Sequence, residues 1–164
     1  QKDIPSLLKS LTFNSNVHLT IVGDGHQMRK LKKLAKKLEI SQRVSFLGSL
    51  SPVYIYEQYR LCDIFILVSN WEGFPIASLE ALSFSKPVIV SDVGGAAELF
   101  EAESKLYYGE KIPKGNSPNE IAKLIGKFFD EKLLRISSEN ARFVYEKHYK
   151  SENVYERYFQ ILND

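Results

Sequence analysis

The chain has a single cysteine, Cys62, among its 164 residues. That excludes an internal disulfide framework and agrees with a reducing compartment. In Leu61-Cys62-Asp63, just ahead of an apolar segment, it reads as a small buried residue rather than a nucleophile. Histidine is nearly as scarce. His18, His26 and His148 stand apart with no cysteine or histidine at ligand spacing, so no metal site is expected. No apolar run approaches the ~20 residues needed to span a bilayer, and no signal peptide opens the chain. Repeats, low-complexity segments and linkers are lacking as well. The net charge is almost balanced at +2, which points to no class of partner, and nucleic acid is not expected. An initiator methionine is also missing. Gln1 comes first, and Ile4, Leu7, Leu8 and Leu11 already fall at helical spacing, as in a piece of a longer protein.

What is present is the composition of a globular domain, 44% hydrophobic and 26% charged, long enough for one core. The most informative stretch is Glu72-Gly73-Phe74-Pro75-Ile76-Ala77-Ser78-Leu79-Glu80-Ala81-Leu82. A carboxylate precedes a Gly-Phe-Pro turn, an apolar helix starts after it, and a second carboxylate lies one turn in. N–H groups at a helix N-terminus lack partners within the helix and carry partial positive charge, so the turn is shaped to receive an anion such as a diphosphate. Glu72 and Glu80 flank that anion. A ligand with hydroxyls on both sides of a phosphate group fits, and a nucleotide-sugar has that layout. Four residues separate Ile76 from Glu80, about 6 Å of helix rise, close to a phosphate-to-ribose step. Spacing alone is weak evidence. Fourteen glutamates produce about one such pair by chance, and Glu131 with Glu139 is a second, in a charged helical stretch without a glycine turn. Context separates the two, because the first follows the apolar run Ile64-Phe65-Ile66-Leu67-Val68.

Along the chain, apolar runs alternate with amphipathic stretches. A helix near 3–11 leads to a strand at 17–22 ending in Gly23-Asp24-Gly25. A helix at 26–39 carries Met28, Leu31, Leu34 and Leu38 on one face. Val44, Phe46 and Leu47 mark a strand closed by Gly48, and Ser51-Pro52 start a helix with serine at the N-cap. After the strand at 64–68 and the glutamate turn-helix, Val88-Ile89-Val90 form a strand and Gly94-Gly95 precede a short helix. Leu106-Tyr107-Tyr108 are expected to form the last strand. Ser117-Pro118-Asn119-Glu120 is a capping box, and from there to Asp164 the reading is helical, broken near Lys150-Ser151. This alternation predicts an α/β fold, a Rossmann-like parallel sheet with helices on both faces and a helical C-terminal segment. Ligands of such sheets bind at the carboxyl ends of the strands, where the glycine-bearing turns fall.

Other features have plainer readings. Gly23-Asp24-Gly25 lacks the third glycine of a dinucleotide fingerprint, since Met28 holds that place, and reads as a turn allowing close approach of backbone or ligand. Arg29, Lys30, Lys32, Lys33, Lys36 and Lys37 make the helix at 26–39 basic. Such a helix can lie on an anionic membrane, but without interleaved aromatics it reads as the solvated face of a domain helix. Tyr145, Tyr149, Tyr155 and Tyr158 read as packing anchors.

Taken together, these residues resemble the C-terminal, nucleotide-sugar-binding half of retaining GT-B glycosyltransferases of the family 4 type. The resemblance covers nearly the whole chain, carried by Val22-Gly23-Asp24-Gly25, Val44-Ser45-Phe46-Leu47-Gly48, Asp63 to Ser69, Glu72 to Leu82 and Ser91-Asp92-Val93-Gly94-Gly95-Ala96-Ala97-Glu98. It implies a single nucleotide-sugar-binding domain over 1–164, a fragment without the acceptor domain, the first strand and an arginine upstream. The sheet, lacking its middle strand, is then expected to be poorly stable, and the isolated fragment inactive. Glu72 is implied to contact the donor sugar and Lys2 to neutralise the leaving diphosphate. Gly73, Phe74 and Pro75 help to seat the donor, Ile76 and Ala77 hold the diphosphate, and Glu80 takes the ribose. Gly23, Gly25, Gly48, Ser49, Leu50 and Ser51 complete the donor site, the last four near the base. The implied reaction needs no metal or other cofactor. It uses a nucleotide-sugar donor and a glycan or lipid-linked acceptor, in polysaccharide synthesis, and the implied location is cytoplasmic with peripheral contact at the inner face of the membrane. A scaffold module that keeps the site without catalysis is the alternative.

Overall fold

The computed structural model describes residues 1–152. Helix α1 (Ile4–Ser10) begins where Asp3 accepts a hydrogen bond from the Ser6 N–H at 3.2 Å, and it tightens into a 3-10 turn at Leu11–Phe13. There follow β1 (Leu19–Val22), α2 (Met28–Lys37), β2 (Val44–Gly48), α3 (Pro52–Leu61), β3 (Phe65–Leu67), α4 (Ile76–Ser83), β4 (Val88–Ser91), α5 (Ala96–Glu101) and β5 (Gly109–Ile112). Helices α6 (Pro118–Lys127) and α7 (Glu131–Val144) close the order, with a π-helical turn at Tyr145–Tyr149 ending at Lys150. Tyr155, Tyr158 and the expected helix beyond 152 lie outside the described residues. None of the described helices is long and apolar enough to cross a membrane.

Every strand pair is parallel, as the alternation predicts, and helices cover both faces. Strand β4 shows how. Successive side chains point to opposite faces, so Ile89 joins a core built with α1, α2 and α6, while Val88 and Val90 join another built with α3, α4, α5 and α7. Tyr145 and Tyr149 pack against the second core, as anchors. Among the described residues the strands fall into two sheets, β1-β2 and β3-β4-β5, with no ladder between β1 and β3. Beside β3 the N-terminal segment pairs instead. The Asp3 N–H donates to the Val68 carbonyl at 3.0 Å and the Asn70 N–H to the Gln1 carbonyl at 2.9 Å, laying Lys2 against Ser69.

Three local expectations need correction. The last strand starts at Gly109, not Leu106. The Lys86 N–H, the preceding donor on that side, turns back to the Ala81 carbonyl at 3.0 Å, so pairing begins with the Val88 N–H on the Tyr108 carbonyl, and Leu106 and Tyr107 turn to packing instead. Ser51 stands at the N-cap of α3, but its hydroxyl makes no capping bond; its carbonyl accepts the Ile55 N–H at 3.0 Å. The helical run from Ser117 is interrupted before α7, where the Asp130 carboxylate caps the N–H groups of Lys132 and Leu133. The capping box at Ser117 and Glu120 forms on both sides, at 3.3 and 2.6 Å.

Candidate functional site

The loops that follow β1, β2, β3 and β4 emerge at the carboxyl ends of the parallel strands; the predicted site residues lie on the first three of these loops and at strand ends, except Ile76, Ala77 and Glu80 on α4 and Lys2 in the N-terminal segment. Glu72 is the centre of the larger group. Its side chain is buried, with only 7% of the residue exposed, and one oxygen, Oε1, accepts hydrogen bonds from the Lys2 ammonium and, at 2.5 Å, from the Ser69 hydroxyl. A carboxylate leaves water at high cost unless it is paired, and here a cation and a hydroxyl compensate it. Ser69 is fixed in turn by its N–H, which donates to the Ser91 hydroxyl at 2.9 Å.

The loop after β4 clasps the turn from the other side. The Gly95 N–H donates to the Gly73 carbonyl at 2.7 Å. Gly94, with φ +57°, lies so close to Glu72 that a Cβ there would sit 1.7 Å from the Glu72 carbonyl oxygen. Two adjacent glycines are therefore what let the β4 loop press on the β3 loop. Pro75 is buried at the start of α4, and the Phe74 ring meets Tyr149 with centroids 6.3 Å apart.

At the N-terminus of α4 the expected donors divide. The Ile76 N–H folds back onto the Phe74 carbonyl at 2.9 Å and the Ser78 N–H onto the Pro75 carbonyl at 2.8 Å. Ile76 is thus already engaged, which corrects its expected part as a free donor; the Ala77 N–H is left without an acceptor among the described residues. Glu80, half-buried, accepts from the Tyr59 hydroxyl at 3.0 Å, a hydroxyl that also lies 3.0 Å from the Ala77 carbonyl. Burial, then the charge of Glu80, pushes the Tyr59 hydroxyl far above its ordinary range, so it stays a donor. An open cavity of about 300 Å³ is lined by Glu80 with Tyr56, Phe84, Tyr145 and Tyr149; it does not reach Glu72 or Lys2.

Gly23 and Gly48 form a second group. They pair across the ends of β1 and β2, the Gly23 N–H on the Gly48 carbonyl at 2.7 Å. Their φ values, +117° and +68°, are what demand glycine, since a Cβ at either position would meet nothing within 4 Å. Gly25 sits in the next turn, its N–H on the Asp24 carboxylate. Ser49 and Ser51 are exposed and Leu50 is half-buried. Among the described residues no hydrogen bond joins Gly48–Ser51 to the Glu72–Glu80 segment. Ser69, Tyr59 and Gly94, which meet the two glutamates, and Gly95, which holds Gly73, escape sequence reasoning as site residues. Only the glycine pair leaves a trace there, as a turn at a strand end. No three His, Cys, Asp or Glu side chains gather as metal ligands among the described residues.

Comparison with known proteins places these features in context. The family model described as "Glycosyl transferases group 1" matches residues 1–146. The chain is 34% identical over 139 residues to the O-antigen biosynthesis glycosyltransferase WbnH of Escherichia coli, covering 81% of this chain and 37% of that protein. It is 29% identical over 163 residues to the N-acetyl-alpha-D-glucosaminyl L-malate synthase of Bacillus anthracis, covering 99% and 42%. The chain therefore spans well under half the length of these curated relatives. Among solved structures, the sucrose-phosphate synthase of Thermosynechococcus elongatus superposes with a TM-score of 0.84 at 23% identity, over 99% of this chain and 42% of that one. An Anabaena protein, HepE, in complex with UDP and glucose, superposes with a TM-score of 0.86 at 23% identity, over 99% and 45%. At these identities the likeness is one of fold.

Proposed function

The chain belongs to the glycosyl transferases group 1 family, and from that premise we propose that it forms the donor-binding part of a glycosyltransferase. The donor is a nucleoside diphosphate sugar, and the acceptor is a hydroxyl of a glycan or lipid-linked glycan, presented by protein outside these residues. In the reaction the bond from the anomeric carbon to the diphosphate breaks, the acceptor oxygen bonds to that carbon, and the configuration is retained. The acceptor hydroxyl passes its proton to an oxygen of the departing diphosphate as the new bond forms.

The observation that carries this reading is the buried, doubly hydrogen-bonded Glu72 in the loop between β3 and α4, with Glu80 one turn into that helix. Glu72 accepts hydrogen bonds from the sugar hydroxyls. Lys2 and the Ala77 N–H meet the diphosphate charge that grows as the bond breaks, an electrostatic task that helix-end donors and a cation can perform without a metal. Glu80, held by Tyr59, takes the ribose hydroxyls, and the Gly23–Gly48 junction with Ser49–Ser51 lies toward the base. The complex of HepE with UDP and glucose supports a uridine nucleotide as the first to try.

The test is isothermal titration of the 164-residue chain with UDP, GDP and ADP. Glu80→Gln should weaken the preferred nucleotide by about 1.5–3 kcal/mol, the cost of a lost charge-assisted hydrogen bond. Glu131→Gln, in the exposed pair on α7, should leave it unchanged. Equal affinity in the parent and Glu80→Gln would leave α4 a purely structural helix and sink the reading.

A further inference from the structure

Helix α2 concentrates charge that the rest of the molecule does not share. Arg29, Lys30, Lys32, Lys33, Lys36 and Lys37 are six of the chain's 22 basic residues, and none of its 20 acidic ones lies on the helix. What remains of the chain is net acidic, so the near-neutral total conceals a segregated patch. The inward side of α2 is settled by packing, with Leu31 and Ala35 buried and Met28, Leu34 and Leu38 half-buried. All six basic residues are exposed. At 100° per residue they fill one continuous arc of roughly 160°, opposite the apolar side.

Pairing sharpens the contrast. Lys2, Lys111, Lys127 and Lys147 each have a carboxylate partner. None of the six on α2 has an ion-pair partner among the described residues; the Lys32 ammonium lies over the Phe46 ring, 5.8 Å from its centroid. The nearest acidic residues in sequence, Asp24 and Glu39, flank the helix without pairing to it. Unpaired like charges crowded on one face repel one another, and an anionic surface relieves that repulsion.

We propose that this face docks the protein on an anionic phospholipid bilayer. Five of the six charges are lysines, compact point charges suited to a plane of mobile headgroups rather than to the forked hydrogen bonding of fixed phosphates. The helix carries no aromatic side chain for base stacking, and its face is a convex strip about 15 Å long rather than a groove. Because α2 follows directly on the Gly23–Gly25 turn, docking holds the strand ends that bear the candidate site next to the membrane. The proposal does not depend on the donor-site reading, since vesicle binding and nucleotide binding are measured separately.

The experiment is co-sedimentation of the 164-residue chain with vesicles of phosphatidylcholine alone or with 30% phosphatidylglycerol (roughly the anionic share that gives a strong surface potential). Binding is expected to the anionic vesicles only, and release as salt rises and screens the surface. Each basic residue near such a surface contributes about fivefold in partitioning. The quadruple variant Lys30→Gln, Lys33→Gln, Lys36→Gln, Lys37→Gln should therefore lose on the order of 100-fold or more. Lys105→Gln, Lys114→Gln, Lys123→Gln, Lys132→Gln removes the same charge elsewhere and should stay within a few-fold of the parent. Circular dichroism of each variant reports folding, and the salt titration of the parent stands whatever the variants do. No binding to anionic vesicles, binding that survives high salt, or equal loss in both quadruple variants overturns the proposal. Tighter, α2-dependent binding to duplex DNA overturns it in favour of a nucleic-acid partner.

Discussion

Replacing Gly94 with alanine should damage the site without touching any residue that meets the ligand. Two costs combine there. The backbone is left-handed, with φ +57°, which costs an alanine about 1–2 kcal/mol. The added Cβ also falls 1.7 Å from the Glu72 carbonyl oxygen and 2.9 Å from its carbon, both backbone atoms that cannot rotate aside. The Glu72 turn must retreat by more than an ångström to restore ordinary contact, an overpacking strain of about 1–3 kcal/mol. The total is about 2–5 kcal/mol, by adding the two ranges. Two glycines serve as controls. Gly115, at φ +78° with open space around it, should show the backbone cost alone on substitution by alanine. Gly73→Ala, in open space without a left-handed φ, should be nearly neutral for stability and serves as a control in the unfolding experiment alone. Urea unfolding of the three variants gives the stability order, and titration of Gly94→Ala and Gly115→Ala with the preferred nucleotide-sugar gives the local effect. A carboxylate displaced by about an ångström from its working position is enough to cost on the order of 100-fold in a precisely oriented step. If Gly94→Ala and Gly115→Ala were equally stable and bound donor equally well, the contact between the β3 and β4 loops would not be what positions Glu72.

Two further outcomes follow from side chains outside the site. Arg43 donates to three carbonyls, those of Asn14, Val17 and Leu11, at 2.7, 3.2 and 2.9 Å; Arg43→Lys cannot form that fork and should lose about 2–4 kcal/mol in urea unfolding, so an unshifted midpoint would refute the clamp. Burial pushes the Cys62 thiol up, against the pull of Lys86, leaving less thiolate at any pH below its titration. Its reaction with a disulfide reagent at pH 8 should therefore be slower in the folded chain than in urea, and equal rates would contradict the burial.

The sequence was most legible where structure is local. The period switches that mark β1 to β4, the Ser117–Glu120 capping box and the apolar side of α2 all depend on neighbours within a turn or a strand, and each is where the pattern puts it. The glycine turn between β3 and α4 is local too. What escaped is what depends on the path of the chain in space. Ser69 and Glu72 are three residues apart, yet only the loop's path shows that the hydroxyl reaches the carboxylate. Tyr59 meets Glu80 across 21 positions and Gly94 meets Glu72 across the gap between two loops. No periodicity encodes such meetings. The displaced start of β5 has the same origin, since the Lys86 N–H is taken by the Ala81 carbonyl and leaves Val88 as the first donor to the neighbouring strand. The Ile76 N–H departs from expectation for a different reason: a helix start leaves its first donors open unless the chain folds back, and here the Phe74 carbonyl takes one of them.

Lys2 and Glu72 tie two parts of the proposed chemistry together. In the free protein the ammonium and the carboxylate satisfy each other. If Lys2 turns to a diphosphate, Glu72 keeps only the Ser69 hydroxyl, and a buried carboxylate so exposed to loss would oppose the move. Breaking a fully buried pair costs about 3–5 kcal/mol, but the Lys2 side chain is 42% exposed, so solvent screening reduces that penalty. A donor whose sugar hydroxyls bond to Glu72 at the same moment removes the opposition altogether. A free nucleoside diphosphate has no sugar hydroxyls to offer there and cannot. The intact donor should accordingly bind more tightly than the bare diphosphate in the parent chain. Glu72→Gln removes the charge that Lys2 must leave, so in that variant the bare diphosphate should gain affinity and the difference between the two ligands should shrink. Paired titrations with nucleotide and nucleotide-sugar measure both quantities. Should Glu72→Gln weaken the bare diphosphate as much as Glu80→Gln does, Glu72 would be holding the nucleotide itself, and the order of sugar, diphosphate and ribose along α4 would have to be abandoned.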